Sequence, residues 1–154
     1  MKKEIKTLKN LESAFAGESM AYQKYLYFAM LAREKGNEEV AKLFEETAAH
    51  EIGHARGHLS FLYPKDKLTV EDLLKIAIDG ETFEYTEMYP SYASIAKEEG
   101  NASAVKEFEE QIEESKEHAS WFETKLEKIS KVFAGLAKVE ESHANGYRDA
   151  LKKL

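Results

Sequence analysis

The sequence repeats itself, and the repeating unit is a helical hairpin. Gly17-Glu18-Ser19 recurs as Gly80-Glu81-Thr82, 63 residues on. Further along, the interval is 64: Arg33-Glu34 returns as Lys97-Glu98, and Gly36-Asn37 as Gly100-Asn101. Phe44-Glu45-Glu46 likewise returns as Phe108-Glu109-Glu110, and His54-Ala55 as His118-Ala119. The extra residue falls near Pro90, where a bulge in the helix would absorb it. A third, partial copy follows 25 residues after the second, with Phe133 answering Phe108, His143-Ala144 answering His118-Ala119, and Leu151 answering Leu126. An interval of 25 is close to seven α-helical turns, so the copy returns to the same helix face.

Apolar spacing of three and four residues fills both halves of the repeat. A first helix is expected over 6–35, along Leu11, Ala14, Glu18, Ala21, Tyr25, Phe28 and Ala32. Gly36-Asn37 is its stop. A second is expected over 38–62, along Val40, Phe44, Thr47, Glu51, His54 and His58. Thr69, with Asp72 three residues on, reads as the N-cap of a third helix over 70–99, which Pro90 should kink or bulge. From Ala102 the spacing resumes and runs to Leu154, with no turn residue between Leu126 and Val132, so one helix of 53 residues is open. The expected organisation is one domain over 1–154, with hairpins 6–62 and 70–126 and a C-terminal helical extension 127–154. With 8 Gly and 2 Pro in 154 residues, the chain is poor in turn formers, which fits an all-α protein and not a sandwich, barrel or doubly wound sheet. A net charge of −7 argues against a nucleic-acid surface. The absence of cysteine excludes disulfides, thiol catalysis and tetrathiolate iron sites. No apolar run reaches a membrane span, and residues 1–10 lack a signal-peptide core, so a soluble, cytoplasmic protein is expected.

The stripes that should be greasy carry carboxylates and imidazoles. Side chains three residues apart share a helix face, so Glu51-x-x-His54 and Glu140-x-x-His143 each offer an oxygen and a nitrogen in one direction. Glu18 lies among Phe15, Ala21 and Tyr25, and Glu81 and Glu84 lie on the stripe of the third helix. A glutamate is rarely buried unless paired or bound to metal. With the hairpins turning at Gly36-Asn37 and Gly100-Asn101, Glu18 stands opposite His54. Glu81 and Glu84 then stand within a turn of His118. One glutamate from each of two helices, plus Glu-x-x-His from each of two others, is the dimetal carboxylate pattern of a ferritin-like four-helix bundle. Five carboxylates nearly balance two divalent ions, and this oxygen-rich donor set suits iron or manganese, with zinc able to compete. His50 and His58 are read as peripheral. The tyrosines are read as packing partners, Tyr25 and Tyr92 being the best placed to support the ligands.

Phe15-Ala16-Gly17-Glu18-Ser19-Met20-Ala21 and Tyr25-Leu26-Tyr27-Phe28-Ala29 resemble the opening helix of the rubrerythrins. The resemblance continues through Glu51-Ile52-Gly53-His54-Ala55, the run from Gly80 to Pro90, and Ala137-Lys138-Val139-Glu140-Glu141-Ser142-His143-Ala144. It is strongest to the short erythrin type without a rubredoxin domain. It implies a diiron centre held by Glu18, Glu51, His54, Glu81, Glu84, Glu140 and His143. It further implies reduction of hydrogen peroxide to water with electrons from an external donor such as a rubredoxin. The alternatives are a ferroxidase or iron-binding protein, and a diiron oxidase. One departure bears on the ligand set: the repeat partner of Glu51-x-x-His54 is Ser115-x-x-His118, which lacks the glutamate. Flanking sequence favours Glu140 and His143, while hairpin geometry favours His118 as the rival.

Chain reach bears on assembly. A helix of 25 residues is ~37 Å long, whereas the connector 63–69 spans at most ~25 Å extended. That is short for the crossover of a ferritin-like bundle. Exchange of hairpins in a symmetric homodimer is therefore expected, with each site drawing Glu18, Glu51 and His54 from one subunit and Glu81 and Glu84 from its mate.

Overall fold

The computed structural model describes residues 6–152. It is all-α: α1 (Lys6–Glu34), α2 (Glu38–Leu62), α3 (Val70–Phe83), a π-helical turn (Glu84–Met88), α4 (Tyr89–Glu98) and α5 (Ala102–Leu151). The chain divides after Leu68 into two compact units, one built from α1 and α2, the other from α3, the π turn, α4 and α5. The last residue of the expected stripe, Leu154, lies outside the described residues. Among the described residues, no helix is long and apolar enough to cross a membrane.

The repeat is visible in the turns. Gly36 and Gly100 adopt φ of +75° and +74°, the left-handed conformation that ends a helix cheaply only at glycine. The asparagine that follows each one caps the next helix. Asn37 Oδ1 accepts from the Val40 N–H and Asn101 Oδ1 from the Ala104 N–H, each at 3.1 Å. Thr69 and Asp72 form a full capping box at the start of α3. Its hydrogen bonds hold the Asp72 carboxyl below the usual carboxylate range.

In the first unit, α1 and α2 meet along alanines. Ala41, Ala48 and Ala55 recur every seven residues on α2 and are buried, as are Ala29 and Ala32 on α1. Seven residues nearly complete two turns, so these methyls form one narrow seam where the backbones approach closely. The stripe expected to be the core lies beside that seam. Val40, Phe44, Thr47, Glu51 and His58 are half-buried, and His54 is exposed. The reason is steric: the closest helix contact takes the smallest side chains and leaves the larger ones on its flank. Among the described residues, no large side chain is fully buried.

The second unit repeats the plan. Its buried residues are Ala96, Ser115 and Ala119. Tyr25 and Phe28 pack on Phe44 with ring centroids 5.9 and 5.6 Å away. Tyr89 and Tyr92 pack on Phe108 at 6.2 and 5.7 Å. Tyr25 and Tyr92 thus serve as packing partners, each on its own unit's phenylalanine. Both rings of the second cluster stand 64 residues after those of the first, while Glu81 stands 63 after Glu18. The π turn takes up the difference. It lies just before Pro90, and of the two expected outcomes, kink or bulge, it is the bulge: the helix widens. Tyr89 N–H bonds to the Glu84 carbonyl, five residues back.

The long last helix is continuous. α5 has 50 residues and is ~75 Å long. Its first half packs on α3, the π turn and α4. From 130 to 152 every residue is exposed except Ala144, and Val132, Phe133, Leu136 and Val139 are each more than half exposed.

Candidate metal centre

Each unit places its acidic and imidazole side chains on one face. In the first, α1 supplies Glu18, and α2 supplies Glu51 and His54 one turn apart. His54 Nδ1 lies 3.1 Å from Glu51 Oε2 and 3.9 Å from Glu18 Oε1. The three residues offer ligand atoms all within 4.8 Å of one another, the one such trio among the described residues. Donors bonded to one cation at ~2.1 Å stand at most ~4.2 Å apart, so small side-chain rotations bring the trio onto a single ion. Two hard carboxylates and an imidazole fit iron or manganese. Both carboxylates are half-buried, in a place that a bound cation would justify.

The second unit carries the matching group. Glu81 Oε2 lies 3.4 Å from His118 Nδ1, one turn along α5 from Ser115. Ser115 Oγ donates to Glu84 Oε2 at 3.0 Å. The Trp121 ring lies against the His118 imidazole, with centroids 5.2 Å apart. Burial first, then the Glu84 and Glu81 carboxylates, raises the Tyr89 phenol above its ordinary range.

Of the residues read from sequence, the structure brings Glu18, Glu51 and His54 together, and sets Glu81 beside His118. Glu84 turns to Ser115. Glu140 and His143 are exposed on the free stretch of α5. The 22 residues from His118 to Glu140 measure ~33 Å along an unbroken helix, so within their own unit this pair does not reach Glu81 or Glu84. His50 is exposed and His58 half-buried, both outside the trio. Sequence reasoning missed Ser115 as a partner of Glu84, and it missed Trp121. The spacing of three from His118 to Trp121 was the available signal for the tryptophan.

Two helical hairpins, each carrying carboxylates beside an imidazole, offer a donor set that suits a transition metal. The chain belongs to the rubrerythrin family, whose model matches residues 9–66 and 60–126. Membership implies a diiron protein. The chain is 33% identical to the rubrerythrin of Nitratidesulfovibrio vulgaris, over 97% of this chain and 71% of that one. It is also 33% identical to the rubrerythrin of Porphyromonas gingivalis, over 92% of this chain and 64% of that one. It therefore spans about two thirds of the length of these relatives. Symerythrin of Cyanophora paradoxa is 26% identical over 70% of this chain and 75% of its own. Among solved structures, the fully reduced, all-ferrous state of nigerythrin is 34% identical, covering 80% of this chain and 67% of that one, with a TM-score of 0.41.

Proposed function

We propose that this chain is a non-haem diiron peroxidase, reducing hydrogen peroxide to two waters with two protons and two electrons from an external donor protein such as a rubredoxin. The observation that carries the reading is the convergence of Glu18, Glu51 and His54 in a rubrerythrin-family chain. These 154 residues hold no cysteine, so no tetrathiolate iron site within them relays those electrons.

Glu18, Glu51 and His54 would hold one ion, and Glu81, Glu84 and His118 the other. Bound there, iron supplies redox capacity and Lewis acidity; manganese and zinc are possible substitutes. Four carboxylates balance the charge of two divalent ions. Glu18, Glu51, Glu81 and Glu84 would supply the oxygen donors, and His54 and His118 the nitrogen donors. Trp121 restricts the His118 ring on one side. We infer that the working form is a homodimer in which the first unit of one chain completes the second unit of the other, because the connector 63–69 is short for a crossover. Glu140 and His143, the ligand pair that flanking sequence favours, would then be available to a metal site of the partner copy.

Stopped-flow mixing of the diferrous protein with peroxide, and separately with oxygen, tests the activity. Faster oxidation by peroxide is expected. Faster oxidation by oxygen refutes the peroxidase reading and favours an oxidase or ferroxidase.

A further inference from the structure

We propose that Ser115 is a positioning residue that holds Glu84 in the place of the carboxylate the second unit lacks on α5. The inference rests on the dimetal reading above and concerns how its second half is assembled. Position 115 is the repeat counterpart of Glu51, and position 84 is the counterpart of Ala21. So one unit has a glutamate on its second helix and an alanine on its first, and the other has the reverse arrangement. The total is the same in each: two carboxylates and one imidazole.

The geometry joins the two exchanges. Glu84 reaches across from the π turn, and its Oε2 accepts the Ser115 hydroxyl proton at 3.0 Å. Ser115 is 3% exposed and is the one buried polar residue among those described. Its hydroxyl therefore has a fixed setting, and one donated bond pins one carboxylate oxygen while leaving the other free for a cation. A glutamate at 115 would instead bring a third carboxylate against Glu84, with like charges at hydrogen-bond range. The consequence is an unequal pair. The first unit has three ligand atoms already converged, whereas the second depends on a hydroxyl to hold one of its ligands in place.

Titration of the metal-free protein with cobalt(II), followed by visible absorption and calorimetry, tests this without reference to activity. Wild type should bind two ions per site in steps of unequal affinity. Ser115→Ala should weaken the second step alone by about 10–100-fold, the usual cost of losing a hydrogen bond behind a metal ligand. Ser115→Thr should restore it. Glu84→Gln should weaken the same step, and adding Ser115→Ala to it should cost nothing more. If wild type takes up no stoichiometric cobalt, the dimetal reading itself fails. If wild type binds two ions and Ser115→Ala leaves the second step unchanged, the metal centre stands and the role of Ser115 is refuted.

Discussion

Mixing two crippled chains separates exchange of hairpins from sites made within one chain. Glu51→Ala removes a carboxylate 3.1 Å from His54 Nδ1, in the first unit. Glu81→Ala removes one 3.4 Å from His118 Nδ1, in the second. Alone, each variant carries a lesion in every centre and should lose metal affinity at least ~10-fold, since even an outer partner of a ligand costs that much. Refolded together in equal amounts, half of the dimers are mixed if chains pair at random. In a mixed dimer with exchange, both lesions fall in one centre and the other is intact, so about a quarter of all centres are restored. The assay is metal per chain after passage over a chelator that strips either variant alone. The expectation of exchange comes from reach: α2 is ~37 Å long, and seven residues span ~25 Å at most. Metal retention in the mixture no higher than the mean of the two variants would refute the argument.

Three further predictions concern the scaffold. Gly36→Ala places a Cβ in open space but at φ +75°, so it should cost ~1–2 kcal/mol from the conformation alone, read as a lower thermal midpoint. Ala48→Leu overfills a fully buried position on α2 and should cost ~1–3 kcal/mol, whereas the exposed Leu43→Ala should be nearly neutral by the same melt. Thr69→Ala removes the capping box and should cost ~1 kcal/mol. Because the folded-state Asp72 carboxyl is depressed, its contribution is complete above the unfolded carboxylate pKa of ~3.9 and is lost as pH falls through the lower folded value. The acid limb of the stability curve should therefore be shallower in Thr69→Ala than in wild type.

The ends of the helices were legible because their signals are local. Gly36-Asn37 and Thr69-x-x-Asp72 each act within four residues, so a linear reading finds them. The pairing of Glu18 with His54 was legible too, since a hairpin of known turn position fixes which levels face each other. The packing seam was not. Ala41, Ala48 and Ala55 stand one position after Val40, Thr47 and His54, and the larger residues dominate any apolar pattern. Choosing between adjacent faces of α2 requires the distance between helix axes, which no single helix encodes. Ser115 was visible in the sequence only as a missing glutamate. Its value lies in Glu84, 31 residues away, and a hydroxyl facing a carboxylate leaves no periodic trace. The length of α5 was open on the page for want of any breaker near Ser130, and its continuity places Glu140 and His143 far along the helix from His118.

The π turn at Glu84–Met88 acts as an angular adjuster. One residue added to an α-helix swings everything beyond it by ~100° about the axis. Confined to a single widened turn, the addition leaves Tyr89, Tyr92 and Ala96 in step with their first-unit counterparts, while Glu81 and Glu84 keep the earlier phase. Aim and packing along this stretch are thereby uncoupled. Trimming one residue from the turn would leave a plain α-helix that still folds against α5, but its two carboxylates would be turned about a quarter of the way round relative to the aromatic cluster.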